Sequence, residues 1–358
     1  MSSTFEFPYI EVGGNPFEIG FQVGTKAKAQ ICNCIDVYRN ALETTFNLDW
    51  SDFTKSAQRY VKYIEEYDSD IMEEIKGIAE GSGNPVDDIV AINSRMELLG
   101  HGTDISDGCT SFGINREATL RKENLIGQNW DFYSKQKDSL IILKIHQMNK
   151  PDILMMTEAG FVGKIGMNSK GIGVCLNAIQ TGKQKQGVPT HVICRGILNS
   201  TNIVDAIGAI TRSERAHSAN YLIGNSSESI IDVEADPTNY DVIWDESGVL
   251  AHSNHILSNK LVALKEVLRF VHPCTYIRKM RLDKLLKQNI GEITEDMIKG
   301  FLCDHEGYPD SICRHDNPSI PECIRGSTVG SVIMNLSKKE FQVASGNPCC
   351  NGYQMYRL

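Results

Sequence analysis

Asp107-Gly108-Cys109-Thr110-Ser111, followed by Gly127-Gln128-Asn129-Trp130-Asp131-Phe132, is where the chain changes period. Upstream, apolar residues recur at helical spacing. Asn15-Pro16 opens a helix running through Ile19 and Val23 towards Leu42, because an asparagine cap followed by proline is pre-organised for a first turn. A second helix follows Ser51, with Phe53, Ala57, Tyr60, Val61 and Ile64 on one face. A third follows Asp68, with Ile71, Met72, Ile75, Ile78 and Ala79 as its stripe and Gly81 as its stop, and a fourth runs from Asn84-Pro85 to Gly100. His101 to Gly108 is polar and reads as an exposed loop.

Downstream the period is that of strands. Leu125–Trp130, Leu140–Ile145 and Ile153–Thr157 are short runs bounded by turn residues, and Lys164–Leu176 reads as a hairpin around Asn168-Ser169-Lys170-Gly171. Helices are expected at His191–Leu198 and Ile203–Ile210, strands at Tyr221–Ile223 and Ile230–Val233. A long helical stretch covers Lys260–Leu286, broken at Pro273, and strands return from Gly330 to Arg357. No repeat or clear linker interrupts the chain, so residues 1–358 read as one α+β domain with an α-rich N-terminal third.

Composition narrows the function. Hydrophobic residues make up 41% of the chain and charged residues 23%, enough for a large core. A net charge of −9 without a basic stripe argues against nucleic acid or an anionic membrane as partner, since phosphate binding rests on clustered Lys and Arg. No run reaches the roughly 18 apolar residues of a membrane span, and Met1–Tyr9 lacks the basic and apolar regions of a signal peptide. A cytoplasmic protein is expected. The final Tyr356-Arg357-Leu358 is a weak match to a peroxisomal address.

The 11 cysteines suit a reducing compartment. Cys32 with Cys34, and Cys349 with Cys350, lack zinc-pair spacing, and Cys303, Cys313 and Cys323 are too far apart for a zinc knuckle. No third ligand accompanies His252 and His255, so no metal is expected. With no P-loop and no strand-linked G-x-G-x-x-G, no cofactor is expected either.

Cys109 stands apart from the other ten. It follows a glycine whose carbonyl is unshielded, follows a polar segment, and begins the first strand, a rigid platform. A thiolate there can attack the Gly108 carbonyl, convert the peptide to a thioester and be released by water. Cys109 is then left with an α-amine of pKa roughly 7.7–8.0, able to act as base for its own thiol. The alternative is an ordinary buried free cysteine. No papain-type or caspase-type signature surrounds any cysteine.

The two opening segments resemble the acyl-coenzyme A:isopenicillin N (6-aminopenicillanic acid) acyltransferase family of self-processing cysteine enzymes. Further matches, in order, are Asn15–Gly20, Thr157–Gly160 with Gly163–Gly166, Gly187–Pro189, His252–His255 and Tyr308–Arg314. The resemblance implies an αββα four-layer sandwich of the N-terminal-nucleophile hydrolase type. It implies autocleavage between Gly108 and Cys109 into an α subunit, 1–108, and a β subunit, 109–358, that stay together as a heterodimer. Cys109 would be nucleophile and base. Asp131 would hold the new α-amine, Asn254 would donate to the oxyanion, and Arg325 would pair with Asp131. The substrate class would be a small-molecule amide or acyl thioester, with coenzyme A as substrate rather than cofactor. Ile324 and Asp236 stand where the penicillin-forming member has serine, which separates the reaction class from the penicillin substrate. The competing expectation is a non-catalytic or unprocessed family member acting as a binding protein.

Overall fold

The computed structural model describes residues 6–99, 108–181, 183, 185–261 and 272–358. Two β-sheets carry the architecture. The larger has eight strands in the order β1 (Tyr9–Gly14), β4 (Leu140–Gln147), β5 (Ile153–Glu158), β6 (Ile165–Asn168), β7 (Gly173–Ala178), β8 (Ala219–Gly224), β9 (Ile230–Ala235) and β10 (Tyr240–Ile243). The smaller has six: β11 (Val249–His252), β2 (Gly108–Ile114), β3 (Leu125–Tyr133), β12 (Gly326–Asn335), β13 (Glu340–Ala344) and β14 (Tyr353–Arg357). Neighbouring strands are antiparallel except for β1 beside β4, which are parallel.

The sheets stack face to face, β2 and β3 against β7 and β8. Helices α2 (Lys28–Ala41), α8 (Thr190–Leu198) and α9 (Ile203–Thr211) cover the outer face of the larger sheet. Helices α10 (Cys274–Lys287) and α11 (Glu295–Leu302) cover the smaller, through Leu282, Leu286, Ile298 and Leu302 packed on Phe112, Ile114, Leu125 and Ile333. With both faces covered, every residue of β2 and β3 is buried. The αββα expectation matches this arrangement. No described helix is long and apolar enough to cross a membrane.

The N-terminal third is helical as read, with revised boundaries. The Asn15 helix starts with a capping box, Asn15 and Glu18 exchanging bonds of 2.9 and 3.0 Å. It then breaks at Ala27 into α1 (Pro16–Lys26) and α2. Two short helices, α3 (Trp50–Ala57) and α4 (Val61–Tyr67), stand where one was expected. Helix α5 (Ser69–Ser82) continues past Gly81 and ends at Gly83, in left-handed conformation. Gly81 serves packing instead. It and Gly77 face Gly20 and Gly24 of α1, and a Cβ on Gly20 would lie 2.0 Å from the Glu74 carbonyl oxygen. Only hydrogen at these positions lets the two backbones approach so closely. Helices α6 (Val86–Asn93) and α7 (Arg95–Leu99) complete the third.

The segment read as a loop before Cys109 lies outside the described residues as far as residue 107. Gly108 itself is not loop but the first residue of β2, buried and paired with Asp131.

Candidate active site

Strand alternation decides where Cys109 points. Thr110 faces outwards, where its hydroxyl meets α10, while Ser111 reaches Asn177 of the opposite sheet at 2.7 Å. Cys109, two residues before Ser111, therefore directs its thiol between the sheets, into the core cluster that holds Trp130 and Cys175. The main chain at Cys109 is gripped on both sides. Its N–H donates to Asn254 Oδ1 at 2.9 Å. Its carbonyl accepts from Arg278 Nη1 at 2.6 Å. Arg278 also donates to Thr110 Oγ1 at 2.8 Å and, through Nη2, to Asn254 Oδ1 at 2.9 Å. One buried guanidinium thus ties the proposed nucleophile to its proposed oxyanion donor.

Arg278 was not among the candidates. Its signal lies in the spacing of Thr275, Arg278, Leu282 and Leu286, the buried positions of α10: an arginine in helical register with two buried leucines. Burying the two leucines stabilises the docked helix by about 3–6 kcal/mol. That offsets the cost of desolvating a guanidinium whose bonds are charge-assisted.

Asn254 sits just past β11, and its loop is held from two directions. Thr275 Oγ1 accepts from the Asn254 N–H at 2.7 Å, and Ser253 Oγ donates to the Thr275 carbonyl at 2.8 Å. Glu234, from the facing sheet, accepts from the N–H groups of Leu257 and Ser258 at 2.7 and 2.9 Å and bonds His252 Nε2 at 2.7 Å. Burial pushes the His252 pKa down, but the Glu234 bond and the nearby Asp232 and Glu234 charges outweigh it, and the net shift is upward. Burial, with His252, Lys279 and Arg278 close by, pushes His255 down to about 4. The two histidines that flank Asn254 are thus supports for its loop. The Asn254 Nδ2 donates to the Ala178 carbonyl at 3.1 Å, leaving its second N–H for another acceptor.

Asp131 pairs across the ladder with Gly108. A Cβ built on Gly108 would lie 3.1 Å from Asp131 Oδ2 and 3.6 Å from Arg314 Nη1, so a carboxylate and a guanidinium both border the residue preceding Cys109. Thr328 Oγ1 donates to Asp131 Oδ1 at 2.7 Å and accepts the Arg314 N–H at 2.9 Å.

The expected pairing of Arg325 with Asp131 is not formed. Thr328 is the residue opposite Asp131, and the Arg325 carbonyl is bonded beyond the end of β3, at Ser134. Three residues of strand, about 10 Å, separate the two positions. Arg325 instead donates to the carbonyls of Ile320, at 3.1 and 3.2 Å, and of Pro318. Arg314, whose Nη1 also lies near Gly108, pairs through Nε with Asp310 at 3.0 Å. Asp236 ends its strand in a turn, accepting from Thr238 and Asn239, and Lys183 pairs with it at 3.2 Å.

The expectation that no metal ligands come together also needs revision. His305, Cys313, His315 and Cys349 offer four ligand atoms, all within 4.8 Å of one another. Pair spacing missed them because they come from three separate segments.

Comparison with known proteins adds to this geometry. A model of the acyl-coenzyme A:6-aminopenicillanic acid acyl-transferase family matches residues 119–349. The chain belongs to this family. It is 30% identical over 343 residues to the 40 kDa form of acyl-coenzyme A:6-aminopenicillanic-acid-acyltransferase from Emericella nidulans, covering 95% of this chain and 93% of that protein. It is 21% identical over 329 residues to protein dcd1A of Dictyostelium discoideum, covering 79% and 70%. Among solved structures, it is similar to a mutant conjugated bile acid hydrolase from Clostridium perfringens (TM-score 0.48, 14% identity, 70% of this chain and 97% of that one). It is also similar to penicillin V acylase from Agrobacterium tumefaciens (TM-score 0.41, 8% identity, 71% and 78%). The family is one of acyltransferase enzymes.

Proposed function

We propose that the chain is a self-processing N-terminal-nucleophile enzyme in which Cys109 first cuts its own backbone and then transfers acyl groups. The observation that carries this reading is the double grip on Cys109, its N–H on Asn254 and its carbonyl on Arg278, at the start of a fully buried strand. In the first reaction the Cys109 sulfur adds to the Gly108 carbonyl carbon. The C–N bond breaks, the nitrogen takes the thiol proton, and a thioester joins residues 1–108 to the cysteine. Water then splits the thioester into a Gly108 carboxylate and a free thiol.

The α-amine so formed inherits the site of the present Cys109 N–H, facing the Asn254 side chain. At pKa roughly 7.7–8.0 it can take the thiol proton near neutral pH without a separate histidine. Asp131, fixed by Thr328, stands beside the departing Gly108 and is suited to stabilise the ammonium form. In the second reaction the thiolate attacks the carbonyl of an amide or a coenzyme A thioester. Asn254 supplies an amide N–H to the developing oxyanion, a contribution of about 3 kcal/mol for one such donor. Arg278, which fixes Cys109 and Asn254 together, takes the orienting role first expected of Arg325. The acyl-enzyme then passes its acyl group to water or to an amine, whichever reaches the thioester. Residues 1–108 and 109–358 remain one folded body, because α1–α7 pack into the same core cluster as the strands.

The test is acyl-enzyme trapping. A panel of acyl thioesters and side-chain amides is mixed with the protein, quenched in acid and examined by peptide mass spectrometry. An acyl adduct is expected on the Cys109 peptide. Turnover of the same substrates by Cys109→Ala at the wild-type rate would sink the assignment.

A further inference from the structure

We propose that His305, Cys313, His315 and Cys349 form a structural zinc site that clamps the segment carrying Arg314. The donor set is two thiols and two imidazoles, a combination that favours Zn²⁺ in a closed four-coordinate site. The distances fit that geometry. With Zn–S of about 2.3 Å and Zn–N of about 2.0–2.1 Å, tetrahedral ligands stand about 3.8 Å apart for S and S, about 3.5 Å for S and N, and about 3.3 Å for N and N. Here Cys313 Sγ and Cys349 Sγ are 3.6 Å apart, His315 Nε2 lies 3.6 and 3.5 Å from them, and the Nε2 atoms of His305 and His315 are 3.0 Å apart. Four ligand atoms converge on one point from side chains that have no mutual charge complementarity to hold them there. Zinc supplies it: two thiolates balance its charge, and neutral imidazoles complete a site of zero net charge at a half-buried position.

The surroundings are built as a second shell. Asn347 Nδ2 donates to Cys313 Sγ at 3.4 Å and to the Arg314 carbonyl at 2.7 Å, as expected where an outer residue stabilises a ligating thiolate. The Cys313 N–H is fixed on the Asp304 carbonyl and the His315 N–H on the Pro309 carbonyl, at 3.0 and 2.9 Å. Cys313 is buried while His305 and Cys349 are exposed, which leaves the ion a route in from solvent.

All four positions are filled by protein, so the site is structural rather than catalytic. Its place in the fold says what it stabilises. Cys313 and His315 flank Arg314, whose Nη1 would lie 3.6 Å from a Cβ on Gly108, whose Nε pairs with Asp310 at 3.0 Å and whose N–H donates to Thr328, the residue bonded to Asp131. The metal joins this segment to the turn between β13 and β14, to the loop after α11 and, through Thr328, to β12. It is a cross-link behind the acyl-transfer site, and it does not depend on the acyl-transfer reading.

Metal content tests it. The untagged protein, purified under reducing conditions from zinc-supplemented medium without chelator, is expected to hold about one zinc per chain by mass spectrometry of the elements. Cys313→Ser/Cys349→Ser is expected to hold less than about a tenth of that, and Cys323→Ser, outside the cluster, the full amount. Should the double variant fail to fold, His305→Gln on the exposed rim serves instead. It is expected to release zinc to a chelator at least about tenfold faster than wild type. Cobalt(II) in place of zinc should give the thiolate charge-transfer band and intense visible bands of a tetrahedral site. The proposal is overturned if reduced wild type takes up neither zinc nor cobalt, if the double variant folds and keeps its zinc, or if His305→Gln releases it no faster.

Discussion

Arg278→Met is the substitution through which the site can be probed most sharply. Methionine keeps much of the length and apolar contact of the side chain but removes three bonds at once: to the Cys109 carbonyl, Thr110 Oγ1 and Asn254 Oδ1. The carbonyl loses a charge-assisted donor in a buried setting, at about 1–3 kcal/mol. Asn254 Oδ1 keeps the Cys109 N–H, so its loss is at the lower end of that range. Relief from burying a guanidinium returns part of the total. The net loss of stability is about 2–4 kcal/mol, which at about 2.1 cal/mol/K of unfolding entropy per residue lowers the melting temperature by roughly 3–5 °C. The kinetic effect is larger. Freeing the Cys109 carbonyl from Arg278 loosens the main chain from which the thiol must reach the Gly108 carbonyl, and a misplacement of this kind should slow self-cleavage by roughly 10- to 100-fold. The assay is cell-free synthesis followed by intact mass at timed intervals, alongside thermal unfolding of an uncut Cys109→Ala background with and without the substitution. Arg278→Lys should be intermediate, because a point ammonium cannot bridge both acceptors as the planar fork does. Maturation of Arg278→Met within twofold of wild type would refute the reasoning.

Two further outcomes follow from the fold. Gly20→Ala places a Cβ 2.0 Å from the Glu74 carbonyl oxygen, so α1 and α5 must separate; a loss of about 3 kcal/mol or more is expected, and an unchanged melting temperature would contradict the packing. His252→Gln tests the buried pair with Glu234. Because the folded His252 pKa is raised above 6.5, the stability its charge contributes is fully present below about pH 6.5 and lost as pH rises through the folded value. The variant should therefore fall further below wild type in melting temperature at about pH 6 than at about pH 9, and a gap that widens with pH would reverse the sign.

What was legible in the sequence was local. The change of period at Gly108-Cys109, the stripes of the N-terminal helices and the hairpin around Asn168 depend on neighbours a few residues away, and the structure keeps them. What depended on distant partners was hidden. Strand β1 reads as little more than Tyr9–Gly14, and it exists because β4 offers it a parallel edge. Gly81 looks like a helix stop until Phe21 of α1 is seen against it, 2.2 Å from a would-be Cβ. At the site, Cys109 and Asp131 lie on adjacent strands and could be read from one short segment. Asn254 arrives from 145 positions further on and was found by resemblance. Arg325 was paired with Asp131 by the resemblance alone, but register places Thr328 opposite Asp131, and Arg314 reaches the neighbourhood of Gly108 from a separate segment. The four zinc-ligand candidates share no pair spacing because the loop after α11, the segment around Arg314 and the turn between β13 and β14 deliver them separately.

The central claim is tested most directly by the intact mass and N-terminal sequence of the purified protein under denaturing conditions. The account predicts two species of about 12 and about 28 kDa, the shares of 39.8 kDa carried by 108 and 250 of the 358 residues. The larger should begin at Cys109, and Cys109→Ala should give one uncut chain of 39.8 kDa. A wild-type protein that stays whole while it turns over substrate, or a Cys109→Ala chain cut at the same bond, would contradict it.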